Sequence, residues 1–122
     1  KYKDAVGFME GDHVKMTMLD VNLQPGAEFK METPEDATVF VYLFSGSAKF
    51  GLTGTEQDDK RAILFTKGDE VAFTAGDQGV HLVLCQAKAL NEPIAWGGPI
   101  VMNTREELMR AFDELDRGTF IK

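Results

Sequence analysis

The sequence contains few of the residues on which disulfide frameworks and histidine-based metal sites depend. It has one cysteine, Cys85, and two histidines, His13 and His81, among its 122 residues. A single cysteine cannot form an internal disulfide, so we expect no disulfide-stapled secreted fold and take the cytoplasm as the compartment. Cys85 lies in an apolar run and is predicted to be a small buried side chain. Two histidines cannot complete a three-histidine metal site within one chain.

Long apolar stretches and an excess of positive charge are also missing. The longest uninterrupted apolar run is Val39–Phe44, far shorter than the ~20 residues that a membrane-spanning helix needs. Thirteen basic residues against twenty acidic ones give a net charge of −7, which would repel the phosphate backbone of a nucleic acid. The sequence therefore predicts neither a membrane anchor nor direct binding to nucleic acid.

Glycine and proline punctuate a series of short apolar runs, a pattern typical of an all-β sandwich or barrel. Residues 53–60 form a polar stretch that we interpret as a loop. Strands are predicted over residues 14–23, 27–31, 38–44, 48–52, 62–65, 70–74 and 80–87. The barrel strands are thus expected within residues 14–88.

The end of the chain follows a different pattern. Residues 89–103 carry two prolines and two adjacent glycines around Trp96, so we expect an irregular segment there. Thr104 and Glu107 have the spacing of a capping box, which predicts a helix over residues 104–118. Its apolar residues recur at helical spacing, so the helix is expected to dock one face on a surface.

The spacing of the glycines resembles the two motifs of the cupin superfamily. Gly26 and Gly46 match the ends of the first motif, and Gly68 and Gly76 match glycines of the second. The resemblance implies an all-β cupin (jelly-roll-like) barrel of two antiparallel sheets with one C-terminal α-helix. The positions where it places the metal ligands are Glu32, Pro34, Val39 and Gly79.

Three of these four positions have no side-chain donor for a metal. Proline, valine and glycine cannot ligate, so the resemblance implies a degenerate metal site, no bound cofactor and no catalytic residues. His81 shares strand parity with Gly79 and is therefore predicted to point into the barrel. His81 and Glu32 are the candidate residues for a ligand cavity.

The segment Lys88–Thr104, followed by Glu106 and Glu107, resembles the C-terminal half of the pirin family. The likeness extends over residues 14–120 and implies that residues 1–122 form one domain, the C-terminal cupin of a two-cupin protein. In that family the N-terminal cupin holds iron, and some members act as quercetin dioxygenases. The chain begins with lysine, which fits an excised or processed domain.

The resemblance favours a non-catalytic module that supports a metal-bearing cupin or binds a protein partner. On this interpretation the chain is not an enzyme by itself. The alternative is an enzyme of the quercetin 2,3-dioxygenase type, or another cupin that binds a small ligand in its own barrel.

The strand Val39–Phe44 is apolar on both faces, which is unusual for an exposed antiparallel strand. Phe40, Tyr42 and Phe44 share one face, and together with Trp96 they are the candidate interface residues. We expect this face to be covered by the terminal helix or loop, by another domain, or by another subunit. We expect a homodimer or association with an N-terminal cupin domain.

Overall fold

The structure is a computed structural model that describes residues 2–9, 11–51 and 53–121. Lys1 and Lys122, the ends of the predicted domain, and Leu52, the end of a predicted strand, lie outside these residues. The elements are β1 (Thr17–Leu23), β2 (Glu28–Glu32), β3 (Ala37–Phe50), β4 (Thr55–Asp58), β5 (Ala62–Leu64), β6 (Glu70–Lys88), β7 (Ala95–Gly97), β8 (Ile100–Met102) and α1 (Arg105–Asp116). They fall into two compact units, one up to Ala89 and one from Leu90 onward.

Strand β6 organises the six-stranded antiparallel sheet of the first unit. One half of β6 pairs with β1 and the other half with β2. Strand β3 pairs along the opposite edge of β6 and itself carries β4 and β5. The predicted fold class, mostly β with one C-terminal helix, is confirmed.

The inner face of this sheet forms the main hydrophobic core. Side chains alternate between the two faces of a strand, and the buried ones on β3 begin with Val39, Val41 and Leu43. The remaining members of the core cluster are Val21, Phe29, Met31, Ala48, Phe50, Val71, Phe73, Ala75, Val80, Leu82 and Leu84. Apart from Ala75, the members of this core cluster all lie in the predicted strands.

A bulge near the middle of the β3–β6 pair changes which residues face inward. Ala48 pairs with Ala75 and Gly46 pairs with Val80, so Ser47 alone lies opposite residues 76–79. The residues of β6 that belong to the core are odd-numbered up to Ala75 and even-numbered from Val80. Extra residues in one strand of a pair shift the following side chains to the other face.

Several predicted boundaries are corrected by this pairing. The glycine-containing stretches 45–47 and 76–79 do not end strands but form the bulge, so four predicted strands merge into β3 and β6. The predicted polar loop 53–60 contains strand β4, which pairs with the end of β3. Backbone pairing with β3 outweighs the polarity of this segment.

The second unit contains a short β-hairpin and the helix. The prediction that residues 89–103 are irregular is wrong for Ala95–Gly97 and Ile100–Met102, which form β7 and β8 and pair with each other. The helix is confirmed, with Thr104 as its N-cap and both hydrogen bonds of the capping box present. Its buried side chains are Leu108 and Ala111, which pack against Ile100 of β8.

Helix α1, the one helix in the part of the chain that the structure describes, is not long and apolar enough to cross a membrane.

Candidate functional site

The site begins with the four positions where the cupin resemblance places metal ligands. Val39 lies on the inner face of β3 with 5% of its surface exposed. Pro34 is exposed between β2 and β3, and its carbonyl oxygen accepts a hydrogen bond from the Ala37 N–H at 2.9 Å. Neither side chain carries a donor atom, and Val39 packs within the hydrophobic core cluster.

Gly79 has a structural reason to be glycine. Its φ angle is +76°, a region that side-chain-bearing residues rarely adopt. A Cβ atom at this position would lie 2.6 Å from the carbonyl oxygen of Leu23, closer than atoms can approach without a shift of the backbone. A histidine at the fourth ligand position would therefore need a shift of the Leu23 backbone as well as a strained φ angle.

The residues at the four cupin ligand positions do not make up a set of metal ligands. Glu32 is the one ligand position with a donor, and it is exposed at the end of β2 on the face away from the core. Within residues 2–9, 11–51 and 53–121, no three His, Cys, Asp or Glu side chains come together in a way that could hold a metal ion.

His81 does not point into the barrel, so this prediction is wrong. Its neighbours Val80 and Leu82 are buried on the inner face, while 38% of the His81 side chain is exposed. Gly79 belongs to the bulge that divides β6, and the alternation of inward-facing and outward-facing side chains shifts there. Sharing strand parity with Gly79 therefore does not place His81 on the inner face.

The two candidate cavity residues are also not brought together. Glu32 of β2 pairs with Glu70 of β6, whereas His81 of β6 pairs with Asn22 of β1. These pairings lie near one end of β6 and beyond its bulge, so Glu32 and His81 do not line one cavity. A groove of about 580 Å³ lies elsewhere, between the N-terminal segment and β1, and its lining includes Val6, Met9 and Met16.

On the outer side of the sheet, His81 takes part in a polar and aromatic cluster. Its Nε2 atom lies 2.6 Å from Oδ1 of Asp20 on β1. Its ring centroid is 5.0 Å from that of Phe44, which in turn contacts the edge of Tyr42 with centroids 5.3 Å apart. Asp20 was not among the predicted site residues, because no local signal in the sequence shows that β1 pairs with β6.

The predicted interface residues of β3 share this outer side. We call the surface formed by Met18, Asp20, Phe40, Tyr42, Phe44, Leu64, His81 and Val83 the aromatic sheet face. Cys85 pairs directly with Met18 and with Phe40 and is buried there. Removal from water raises the pKa of the Cys85 thiol, which makes it a poor nucleophile.

Trp96, the fourth predicted interface residue, belongs to the second unit. It pairs with Val101 across the hairpin, and both side chains are exposed. The Trp96 Nε1–H donates a hydrogen bond to the Gly98 carbonyl oxygen at 2.6 Å, which holds the indole against its own turn. The structure thus describes Trp96 and the aromatic sheet face as exposed surfaces of separate units.

Known proteins that resemble this chain have the cupin fold. Residues 18–121 match the pirin C-terminal cupin domain family. Pirin of Homo sapiens is 34% identical over 96 residues, which cover 76% of this chain and 33% of pirin. A pirin-like protein of Caulobacter vibrioides is 30% identical over 116 residues, which cover 95% of this chain and 41% of that protein.

Among solved structures, the crystal structure of a quercetin 2,3-dioxygenase from Acinetobacter baumannii superposes with a TM-score of 0.85 at 30% sequence identity. The match covers 98% of this chain and 41% of that enzyme. The chain therefore spans about two fifths of the length of the proteins that it resembles, or less.

Proposed function

This chain belongs to the pirin C-terminal cupin domain family, and we propose that it is a non-catalytic cupin module that supports a metal-bearing cupin. It does so as a folded partner domain and not through a metal site of its own. The protein partner that we propose for this module is the metal-bearing cupin itself.

The observation that carries the proposal is the packing at the ligand positions. At Gly79 the backbone of Leu23 occupies the space that a side chain would need, and at Val39 an apolar side chain fills the core. Restoring a ligand set would therefore require changes in the backbone as well as substitutions. With one donor among its four ligand positions, this barrel offers no full set of metal ligands there, and we infer a structural role for it.

The lengths of the relatives support a role beside another domain. Pirin and the Acinetobacter enzyme both extend well beyond the part that this chain matches. On this proposal, a second domain of a longer protein contributes the metal-binding residues, and the module described here contributes surface and stability.

Metal content tests the first part of the proposal. We expect tag-free purified protein, incubated anaerobically with Fe²⁺ and then desalted, to retain far less than one equivalent of iron by elemental analysis. The same holds for nickel, copper and zinc. One equivalent of metal that is lost in His81→Ala or Glu32→Ala would overturn the proposal.

A quercetinase function of the isolated chain is the second candidate, favoured by the structural similarity to a quercetin 2,3-dioxygenase. Oxygen uptake with quercetin separates the two functions. We expect no uptake above that of buffer with matched Fe²⁺. Uptake that rises in proportion to protein concentration and disappears after chelation would favour the enzyme instead.

A chimera tests the supporting role directly. The matched C-terminal part of the Acinetobacter quercetin 2,3-dioxygenase is replaced by this chain, and iron content and turnover are measured. A soluble chimera that retains both supports the role of this module. A soluble chimera that folds but has lost its iron contradicts it.

A further inference from the structure

The segment that precedes β1 packs on the barrel through one aromatic side chain. Tyr2 is half-buried and contacts the main core cluster. The other described residues of this segment, 3–9 and 11–16, are all exposed. Exposed side chains gain little from burial, so the position of the segment depends on the few contacts that it does make. Tyr2 is therefore the apolar side chain that ties the segment to the barrel.

The Tyr2 ring extends a stack of aromatic rings that begins in the core. Its centroid lies 6.1 Å from that of Phe29, with an angle of 17° between the ring planes. Phe29 is in turn stacked on Phe73, with centroids 4.9 Å apart. Aromatic pairs at these distances attract one another beyond the effect of the area they bury. Because Phe29 is buried and Tyr2 half-buried, departure of Tyr2 would expose the Phe29 ring.

A tight turn presents the Tyr2 ring to the barrel. The Tyr2 N–H donates to the Ala5 carbonyl oxygen, and the Ala5 N–H donates to the Tyr2 carbonyl oxygen, each at 3.0 Å. Lys3 within the turn has a φ angle of +48°, which is unfavourable for a residue with a side chain. Its Nζ atom lies 5.4 Å from the centroid of the Tyr2 ring. A turn that carries this strain forms less readily by itself, so it depends on the packing of Tyr2.

We propose that residues 2–9 form a strap that Tyr2 holds on the barrel, and that this strap opens while the barrel stays folded. Burying one aromatic ring gains little more than ordering a few residues costs. Release of the strap is therefore a local opening and does not require global unfolding. The proposal does not depend on the supporting function proposed above.

The strap forms one wall of the groove of about 580 Å³ beside β1. Val6 and Met9 of the strap line this groove on one side, and Met18 and Leu19 of β1 line it on the other. When the strap opens, the groove loses one wall and the side chains of β1 become part of the open surface. The strap thereby controls how much apolar surface the barrel exposes.

Limited proteolysis of the folded full chain tests the proposal, because a protease cleaves a segment in its open state. A protease of broad specificity is used, and mass spectrometry locates the cleavage sites. We expect Tyr2→Ala to raise the rate of cleavage within residues 3–16 fivefold or more, with unchanged circular dichroism. Tyr2→Phe keeps the ring and should be cleaved at the rate of the original chain.

Ala5→Pro is the second variant, because it removes the N–H that donates to the Tyr2 carbonyl oxygen. Ala5 is exposed, so this change leaves the core intact. We expect faster cleavage within residues 6–16, again without a change in circular dichroism. If Tyr2→Ala does not fold, an Ala5→Pro chain that is cleaved at the original rate would overturn the proposal.

Phe8→Ala is the matched control, because Phe8 is an aromatic residue of the same strap and is fully exposed. This variant should be cleaved as the original chain is. The proposal fails if the original chain, Tyr2→Phe or Phe8→Ala is cleaved as fast as Tyr2→Ala. It also fails if the first cleavage of Tyr2→Ala falls within the strands of the barrel.

Discussion

Gly46 of β3 lies directly against the carbonyl oxygen of Gly79 of β6, with no room for a Cβ atom between them. Both glycines have positive φ angles, +79° and +76°. Their close approach allows the two strands to stay paired through the bulge, which shifts the inward-facing positions on both. The bulge therefore contains two glycines, one on each strand, whose backbones come into close contact across the pair.

Gly46→Ala is predicted to destabilise the fold more than Gly51→Ala. Both positions have positive φ, so both variants carry the backbone strain of alanine, roughly 1–2 kcal/mol. A Cβ at Gly51 meets no atom within 4 Å, whereas at Gly46 it meets the Gly79 backbone. Urea unfolding should show the larger loss of unfolding free energy for Gly46→Ala. Equal losses would show that strain alone matters at the bulge.

Thr33 is expected to contribute through its hydroxyl group. It is buried just after β2, and its Oγ1–H donates a hydrogen bond to the Gly68 carbonyl oxygen at 3.0 Å. Thr33→Val keeps the shape but leaves that carbonyl without its partner, at a cost of about 1 kcal/mol. Thr33→Ser keeps the hydroxyl and serves as the comparison in thermal unfolding. The idea fails if serine is the more damaging replacement.

The capping box of α1 should make stability depend on pH. The pKa of Glu107 is lowered, chiefly because the Thr104 backbone N–H donates to its carboxylate at 2.9 Å. A lowered pKa in the folded state means that the carboxylate stabilises the helix above its unfolded pKa. This contribution is lost as the pH falls through the folded pKa.

Glu107→Gln provides the measurement. The difference in melting temperature between the original chain and this variant should be largest near neutral pH and shrink in acid. An NMR titration should also place the Glu107 pKa below its ordinary value. A difference that stays constant from neutral to acidic pH would contradict the prediction.

Cys85 is predicted to react slowly with thiol reagents in the folded chain. Burial raises the pKa of its thiol, so less thiolate is present at a given pH. Phe40→Ala removes the ring that pairs directly with Cys85 and should speed the reaction several-fold. Leu64→Ala lies one strand further away and should not. Reaction with a chromogenic disulfide, followed in native buffer and in urea, distinguishes these outcomes.

The sequence predicts best what depends on neighbouring residues. The capping box at Thr104 and Glu107 fixes the start of the helix, and it is present as predicted. Alternation along Val39–Phe44 predicts which side chains share a face, and the structure places Phe40 and Phe44 on the exposed side. Both predictions need information only from within one element.

Features that depend on pairing between distant segments could not be predicted. The predicted orientation of His81 was wrong because it depends on the bulge, which forms only where β3 pairs with β6. Its partner Asp20 was missed because 61 residues separate them in the sequence. The hairpin of β7 and β8 was missed because its glycines and prolines outweighed its short apolar segments in the sequence pattern.

The central position of β6 also determines when this fold can form. Strands β1, β2 and β3 all pair with β6, which is complete only at Lys88. On a ribosome the first three strands would therefore emerge without their main partner, and the sheet assembles only after most of the first unit has been synthesised. Sheets dominated by such distant pairings fold slowly. During that interval the apolar strand Val39–Phe44 can pair with β5 but lacks its partner along the β6 edge, so part of its apolar surface is exposed while the chain is still being synthesised.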